Sequence, residues 1–249
     1  MDLELTGKIA LVTGASSGIG AATARVLAEE GADVVVSYGR NEAGARRTIE
    51  AVTAAGRRAW LRQMNVTDPT HISQAMAALK NDVDGLDVLV LCAGQNIITP
   101  FEHVTPDEWN QVIAVNLNGP FYVLQAAIPL LRDGGSVVTV ASVAAHTGVP
   151  QHAHYAAAKA GLINLTKSAA RLLGPRVRVN CVAPGLVLGT PMGDYTATTM
   201  APDYAQKRLL TQRFGTADEV ARCIVFAASP VAGFMTGATI DINGGRELR

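Results

Sequence analysis

The stretch that decides the fold is KIALVTGASSGIGAATARVLAEEGADVVVSY, residues 8–38. A short apolar run leads into TGASSGIG (13–20), an alanine-rich segment follows, and a second apolar run ends the stretch. A glycine-rich turn between a buried strand and a helix lets backbone N–H groups and the positive helix end approach a pyrophosphate. Its position between the first strand and the first helix therefore predicts a dinucleotide-binding site.

Short apolar runs recur along the rest of the chain, separated by segments with helix-start and helix-end signals. The predicted strands cover residues 8–14, 33–38, 58–63, 87–94, 136–142, 176–185 and 238–244. Asp68, Thr105 and Thr216 are predicted N-caps, the two threonines with a glutamate three residues later, and Gly31 and Gly56 are predicted helix ends. This alternation predicts a Rossmann-type, doubly wound, parallel seven-stranded α/β sheet with helices on both faces.

The chain has no linker, repeat or low-complexity block, so we expect residues 1–249 to form a single dinucleotide-binding and catalytic domain. One irregular segment, 186–213, follows the carboxyl end of a predicted strand and fits no strand itself. Its place at that end of the sheet predicts a substrate lid. A loosely packed pair of surface helices is the alternative.

Composition excludes several classes of function. The 21 basic and 21 acidic residues give no net charge, so neither nucleic acid nor a membrane surface is an expected partner. No apolar run approaches the roughly 18 residues that cross a bilayer, and the N-terminus has no signal-peptide pattern. The three cysteines, Cys92, Cys181 and Cys223, are far apart and set in apolar sequence, which indicates reduced thiols. We expect a cytoplasmic location.

A metal site is not expected. His146, His152 and His154 lie close together in sequence, but they do not share one helical face and no cysteine or carboxylate joins them. Loop polarity or contact with substrate is the favoured interpretation of these histidines.

Several motifs in fixed order resemble the short-chain dehydrogenase/reductase family. They are Thr13-Gly-x-x-x-Gly-x-Gly, Ala93-Gly94, Asn116, Ser142, Tyr155-x-x-x-Lys159 and Pro184-Gly185, which together span nearly the whole chain. Within the family, the chain is most similar to 3-oxoacyl-(acyl-carrier-protein) reductases and related NADP(H) ketoreductases. The resemblance implies hydride transfer between NADP(H) and a carbonyl or secondary alcohol, such as a ketone or 3-oxoacyl compound, and a homotetramer.

The resemblance also implies the cofactor-binding residues. They are Gly14, Ser16, Ser17, Gly18, Ile19, Gly20, Tyr38, Arg40, Asn65, Val66, Ala93, Gly94, Tyr155, Lys159, Pro184, Gly185, Val187 and Thr190. The chain departs from the family pattern at Asn65, where an aspartate is usual, at LCAG (91–94) in place of Asn-Asn-Ala-Gly, and at Thr190, which comes one residue later than the family threonine.

Cofactor preference is decided near the end of the second strand, where a carboxylate would select NAD(H) by binding the ribose 2′-OH. The stretch VVVSYGRN (34–41) has no carboxylate, Tyr38 stands where NAD-using relatives have aspartate, and Arg40 could pair with a 2′-phosphate. We therefore favour NADP(H) over NAD(H). Ser17 argues the other way, because many NADP(H)-using relatives have arginine there, and Arg40 could instead be a solvated loop charge.

The candidate catalytic residues are Asn116, Ser142, Tyr155 and Lys159. Tyr155 and Lys159 stand four apart on a predicted helix and so share one face, which would place an ammonium beside a phenol and lower its pKa. Tyr155 is the expected general acid or base, and Ser142 would orient the carbonyl. The family's asparagine, matched by Asn116, is thought to hold a water that connects the lysine to solvent. A non-catalytic dinucleotide-binding sensor is the alternative from another class.

Overall fold

The computed structural model describes residues 2–249 of the chain. Its strands are β1 Ile9–Val12, β2 Asp33–Tyr38, β3 Ala59–Gln63, β4 Leu86–Leu91, β5 Leu131–Val140, β6 Val177–Pro184, β7 Val187–Leu188, β8 Gly215–Thr216 and β9 Thr239–Ile242. Seven of them form one parallel sheet in the order β3-β2-β1-β4-β5-β6-β9. The order reverses between β1 and β4, so the carboxyl ends of these two strands open a crevice in which ligands bind in folds of this class.

Ten α-helices cover the sheet: α1 Gly18–Glu29, α2 Glu42–Ala54, α3 Pro69–Leu79, α4 Pro106–Ile113, α5 Gly119–Ala127, α6 Ala144–Thr147, α7 Ala153–Leu173, α8 Pro191–Ala197, α9 Tyr204–Arg208 and α10 Ala217–Ala228. A π-helical turn, Ala114–Asn118, joins α4 to α5. Alternate residues of β1 serve the two helical layers: Ala10 and Val12 pack with α1 and α10, and Ile9 and Leu11 pack with α3 and α5. The predicted seven-stranded, doubly wound sheet is confirmed.

Most of the predicted helix signals act as expected. Asp68 accepts hydrogen bonds from the Thr70 and His71 amides, and Thr216 and Glu219 form a complete capping box. Gly31 and Gly56 follow α1 and α2 with positive φ, at 94° and 76°. Two strand assignments need correction. β5 begins at Leu131 rather than at residue 136, and the segment predicted to contain no strand contributes β7, which pairs with β8.

The second predicted capping box is only half formed. Thr105 accepts from the Glu108 amide, but the Glu108 carboxylate turns to His154, with Oε1 2.9 Å from Nε2. His154 is fully buried, and its Nδ1 accepts a hydrogen bond from the Tyr155 amide at 2.8 Å. That acceptor role leaves the proton on Nε2, which donates to Glu108. The imidazole therefore satisfies a free N–H of the first turn of α7 and ties this turn to α4.

Within residues 2–249, one continuous helical stretch is as long and as apolar as a membrane-spanning helix, judged by length and composition alone. The 25-residue stretch Pro106–Leu130, which runs through α4, the π-helical turn and α5, has a mean hydropathy of 1.2 over 18 residues. Polar residues such as Asn110, Asn116 and Gln125 interrupt it, so it is no continuous apolar run. Packing accounts for part of this apolar character, because Val123, Leu124 and Ala127 are buried against the sheet. The core helix of a globular domain passes the same test of length and composition.

Replacing His154 by alanine is expected to destabilise the fold by about 2–3 kcal/mol, because it removes a buried ring and leaves Glu108 and the Tyr155 amide without their partner. Thermal and denaturant unfolding would measure this loss. His103→Ala is the matched control, since His103 is exposed and should change stability by less than about 0.5 kcal/mol. Equal effects of the two substitutions would contradict the tie between α4 and α7.

Candidate active site

A cavity of about 1060 Å³ lies along the carboxyl edge of the parallel sheet. Loops that follow β1, β2, β3, β4, β5 and β6 line it, so residues far apart in sequence meet in one space. All of the sequence-predicted catalytic and cofactor residues contribute to its lining except Tyr38 and Asn116.

The floor of the cavity is exposed backbone at the glycine turn. Gly14 has φ +66°, and a side-chain carbon on it would lie 2.8 Å from the Cα of Ala93. The Thr13 hydroxyl accepts hydrogen bonds from the Cys92 and Ala93 amides at 3.0 and 3.2 Å, which pins the end of β1 to that of β4. Ser17, the N-cap of α1, makes no side-chain capping bond. First-turn N–H groups of α1 are therefore available to a pyrophosphate.

The cavity end next to β2 and β3 is lined by Arg40, Asn41, Asn65 and Val66. Arg40 is exposed, and its guanidinium has no hydrogen-bond or ion-pair partner within residues 2–249. No carboxylate of the described chain lines this end. Asn41 caps α2 by accepting from the Gly44 amide.

Tyr38, predicted to be a cofactor residue, lies outside the cavity lining. It packs in the same apolar cluster as Val34 and Val36, with its phenol directed to the Glu42 carboxylate. Burial, and then the charge on Glu42, raise the pKa of Tyr38 above its ordinary value. This packing follows from the two-residue period of a strand, which gives Tyr38 the same face as Val34 and Val36. Contact of Tyr38 with the cofactor stays a prediction.

Lys159 lies buried at the centre of the site, with only 4% of its surface exposed. Its ammonium donates to the carbonyl of Val140, the last residue of β5, at 2.8 Å, and lies 5.5 Å from the centre of the Tyr155 ring. Burial lowers the pKa of Lys159 to about 8. The lysine is therefore still mostly protonated at pH 7 and loses its charge as the pH rises through 8.

Tyr155 is also buried, and its neighbours at the reacting end are Ser142 and His152. Burial raises the pKa of Tyr155 to about 12, and a hydrogen bond with Ser142 offsets part of that rise. Burial is the largest influence on this pKa in the protein alone. The lowering by Lys159 that the helical spacing predicts stays a prediction. The His152 ring packs edge-on to Tyr155, with 6.0 Å between ring centres.

Asn116 lies behind the cavity wall, in the π-helical turn between α4 and α5. Its amide donates to the carbonyls of Gln95 and Val112 at 2.6 and 2.9 Å and accepts from the Gln95 amide at 3.3 Å. A side-chain carbon on Gly94 would lie 3.0 Å from Asn116 Oδ1 and 3.6 Å from Lys159 Nζ. Asn116 thus holds the loop after β4 beside the lysine. A π-helical turn at such a position is common at functional sites.

The segment 186–213 borders the cavity with Val187, Thr190 and its first helix, α8. The Thr190 hydroxyl is already engaged: it donates to the Val187 carbonyl at 3.0 Å and accepts from the Gly193 amide at 2.9 Å. The Thr190 side chain also packs against Gly18 of the glycine turn. The segment 186–213, predicted to be a substrate lid, is therefore in direct contact with the glycine turn.

Several lining residues were not identified from the sequence as site residues. They include Gln63, Met64, His71, Gln95, Asn96, Gln111, Val149 and Arg246. Gln63 ends β3, His71 lies in α3 and Gln111 lies in α4, and the others come from loops and from the C-terminal tail. No motif marks any of them. Within residues 2–249 no cluster of histidine, cysteine and acidic residues could hold a metal ion.

Comparison with known proteins agrees with this geometry. A family model described as "Enoyl-(Acyl carrier protein) reductase" matches residues 14–247. The 3-oxoacyl-[acyl-carrier-protein] reductase of Staphylococcus aureus is 38% identical over 245 residues, covering 96% of this chain and 97% of the relative. That of Aquifex aeolicus is 36% identical over 248 residues, covering 98% and 99%.

Solved structures give the same result. A dehydrogenase/reductase from Sinorhizobium meliloti is 36% identical and superposes with a TM-score of 0.91 over 99% of this chain and 98% of that one. A short chain dehydrogenase from Burkholderia cenocepacia in complex with NADP is 35% identical, with a TM-score of 0.88 over 97% and 98%. The resemblance carried by the glycine turn and the Tyr155–Lys159 pair is thereby confirmed, and the chain belongs to the short-chain dehydrogenase/reductase family of oxidoreductases.

Proposed function

We propose that this protein is an NADP(H)-dependent ketoreductase that acts on a ketone or 3-oxoacyl-type carbonyl and works reversibly as an alcohol dehydrogenase. The observation that supports it most is that Ser142, Tyr155 and Lys159 line one cavity together with the glycine turn at Gly14–Gly20. A nicotinamide cofactor would supply the hydride, and the chain would supply the proton and the orientation.

Ser142 and Tyr155 have complementary tasks in this proposal. The Ser142 hydroxyl donates a hydrogen bond to the carbonyl oxygen and holds it next to the phenol. Because the pKa of Tyr155 is raised to about 12, the phenol is protonated at pH 7 and can give its proton to that oxygen as the carbon is reduced. In the reverse direction, the deprotonated tyrosine takes the proton from the alcohol.

Lys159 stabilises the negative charge that develops on Tyr155 during proton transfer. Its ammonium donates to the Val140 carbonyl and lies next to the phenol ring. Because Lys159 is buried and bulk water is excluded, this fixed charge acts strongly on the tyrosine. Asn116 positions the Gln95 backbone beside Lys159. The water relay through Asn116 that the family resemblance implies remains a prediction.

The cofactor we propose is NADP(H) rather than NAD(H). Arg40 is an exposed, unpaired guanidinium at the cavity end expected to hold the adenosine, and no carboxylate of residues 2–249 lines that end to repel a 2′-phosphate. One solved relative contains NADP. An NAD(H)-dependent alcohol dehydrogenase is the alternative, and Ser17 is the feature that favours it.

We also propose a homotetramer in the cytoplasm, with a small-molecule substrate and with neither nucleic acid nor a membrane as partner. The family resemblance implies that the helices around residues 106–131 and 153–173 pack between subunits. Large apolar side chains are exposed on these helices, among them Trp109, Phe121 and Leu172. Phe226 and Phe234 are exposed near the C-terminal strand. Burying such groups between subunits would remove apolar surface from water. Sizing in solution tests this assembly.

Tyr155→Phe is expected to lower kcat by about 10²–10⁴-fold, because the general acid is lost while the ring remains. The dissociation constant for NADPH should change by less than about threefold. Ketone reduction followed by loss of NADPH absorbance measures the first, and fluorescence titration the second. Tyr122→Phe, outside the cavity, is the matched control. Retention of activity in Tyr155→Phe would exclude the acid role, and binding of NADPH without turnover in the wild type would favour the sensor.

Arg40→Ala is expected to weaken NADPH binding by about 10- to 100-fold, because a charge-assisted contact with the 2′-phosphate is lost. NADH has no such phosphate, so its binding should change by less than about twofold. Titrating both cofactors against both proteins measures the difference. Arg47→Ala, an exposed arginine of α2 outside the cavity, is the control and should alter neither. Equal weakening of the two cofactors by Arg40→Ala would overturn the preference for NADP(H).

The reductive rate should depend on pH through Lys159. Well below pH 8 the side chain of Lys159 is fully protonated, so kcat/KM for the ketone should be constant there. As the pH rises through about 8, Lys159 loses its charge and kcat/KM should fall. A pH profile at saturating NADPH checks this. A profile that stays flat to pH 10 would contradict an electrostatic role for the lysine.

A further inference from the structure

The C-terminal tail brings one cation into the active-site cavity. Arg246 is half-buried, lines the same cavity as Ser142 and Tyr155, and comes from sequence that follows the last strand, β9. Its charge is close enough to His152 to help lower the pKa of that imidazole to about 4, after burial and His154. His152 in turn packs on Tyr155. The tail leaves β9 next to the end of β6, where Ile242 pairs with Pro184, and the Pro184 carbonyl accepts a hydrogen bond at 2.8 Å from the amide of Val143, which follows Ser142. Arg246 therefore lies toward the Ser142 and Tyr155 end of the cavity rather than toward Arg40.

The tail is held on both sides of Arg246. Asn243 accepts a hydrogen bond from the Gly245 amide at 2.9 Å and donates one to the Glu247 carbonyl at 3.1 Å. The Gly244 carbonyl accepts from the Thr211 amide of the lid segment at 3.1 Å. These hydrogen bonds lie before and after Arg246 in the chain. They therefore hold the backbone of Arg246 in place beside the cavity.

The cavity offers this guanidinium no protein partner. The Arg246 side chain makes no hydrogen bond or ion pair within residues 2–249, whereas Arg249 of the same tail pairs with Asp241. The lining of the cavity includes neither aspartate nor glutamate in the described part of the chain. His152 is neutral at pH 7, since its pKa is lowered to about 4. The lysine and arginine residues that line the cavity in the described part of the chain are Arg40, Lys159 and Arg246. Since Arg40 lies at the other end, Arg246 is the second cationic side chain near Ser142 and Tyr155.

We propose that Arg246 recognises a carboxylate on the substrate, so that the preferred substrate is a small keto acid with a free carboxylate rather than its ester or thioester. This inference rests on the proposed ketone reduction and names its substrate class. A guanidinium binds a carboxylate through two parallel hydrogen bonds, a geometry that a neutral ester cannot match. Ser142 and Tyr155 would hold the ketone oxygen while Arg246 holds the acid group.

The test compares each acid with its own methyl ester as substrate. The probes are 3-oxobutanoate and 4-oxopentanoate, which differ in the spacing between ketone and carboxylate, and the neutral esters of both. In the wild type, kcat/KM for at least one acid should exceed that of its ester by about tenfold or more. Arg246→Gln should raise KM for that acid by about 10- to 100-fold and leave the ester within about threefold. Arg246→Lys should restore part of the preference.

Arg249→Gln is the matched control, because it removes a tail arginine that does not line the cavity. It should leave the preference for acids intact. The proposal is overturned if the wild type reduces esters as well as the acids, or if Arg246→Gln weakens acids and esters equally.

A binding measurement separates this proposal from the reduction itself. Butanoate, which cannot be reduced by hydride, should bind the wild-type protein with NADPH and compete with the substrate, and should bind Arg246→Gln about tenfold more weakly. Failure to turn over any ketone, with butanoate binding that depends on Arg246, would refute the proposed function and support carboxylate recognition. Butanoate binding that is absent or unaffected by Arg246→Gln would refute carboxylate recognition, whatever the turnover.

Discussion

The buried ammonium of Lys159 is the constraint on which the rest of the site depends. A lysine taken out of water keeps its charge only where fixed acceptors face it, and here the Val140 carbonyl at the end of β5 supplies one at 2.8 Å. This contact ties α7 to the sheet and sets Tyr155, one helical turn earlier, in the lining of the cavity. The same burial holds the phenol protonated, as an acid requires.

The order of the strands in the sheet explains why one cavity has room for both a cofactor and a substrate. β1 and β4 are neighbours at the point where the strand order reverses, and Thr13 links their ends, so the glycine turn faces the loop after β4. The loops after β5 and β6 extend the same edge, and they carry Ser142 and the start of the segment 186–213. Elements with no local relation in sequence are therefore brought together by topology.

Sequence was sufficient where the pattern has a simple physical cause. The strands β1 and β4 are almost wholly apolar because both faces are covered, and Asp68 and Thr216 are caps because the first N–H groups of a helix need acceptors. The first residues of β5 were missed because Arg132–Gly135 is polar and glycine-containing. Two-residue strands such as β7 are too short to show a period. The packing of Tyr38 beside Val34 and Val36 could have been predicted from the two-residue period of its strand.

Other features depend on long-range packing and leave no local pattern. The Glu108 carboxylate does not complete the predicted capping box, because it binds the buried imidazole of His154, 46 residues later in the chain. Arg246 reaches the cavity only because the tail turns back after β9 and is held by Asn243. The proximity of Tyr155 and Lys159, in contrast, could be predicted because the two residues lie one turn apart on one helix, where spacing alone fixes their distance.

The most direct test of hydride transfer at this site is to follow the label from NADPH carrying deuterium at C4 of its nicotinamide. Reduction of a ketone by the wild-type protein with the cofactor labelled on one or the other face should place one deuterium on the alcohol carbon with one of the two labels and none with the other. Mass spectrometry of the product measures this. An alcohol without deuterium from either label, or no alcohol at all, would contradict the account.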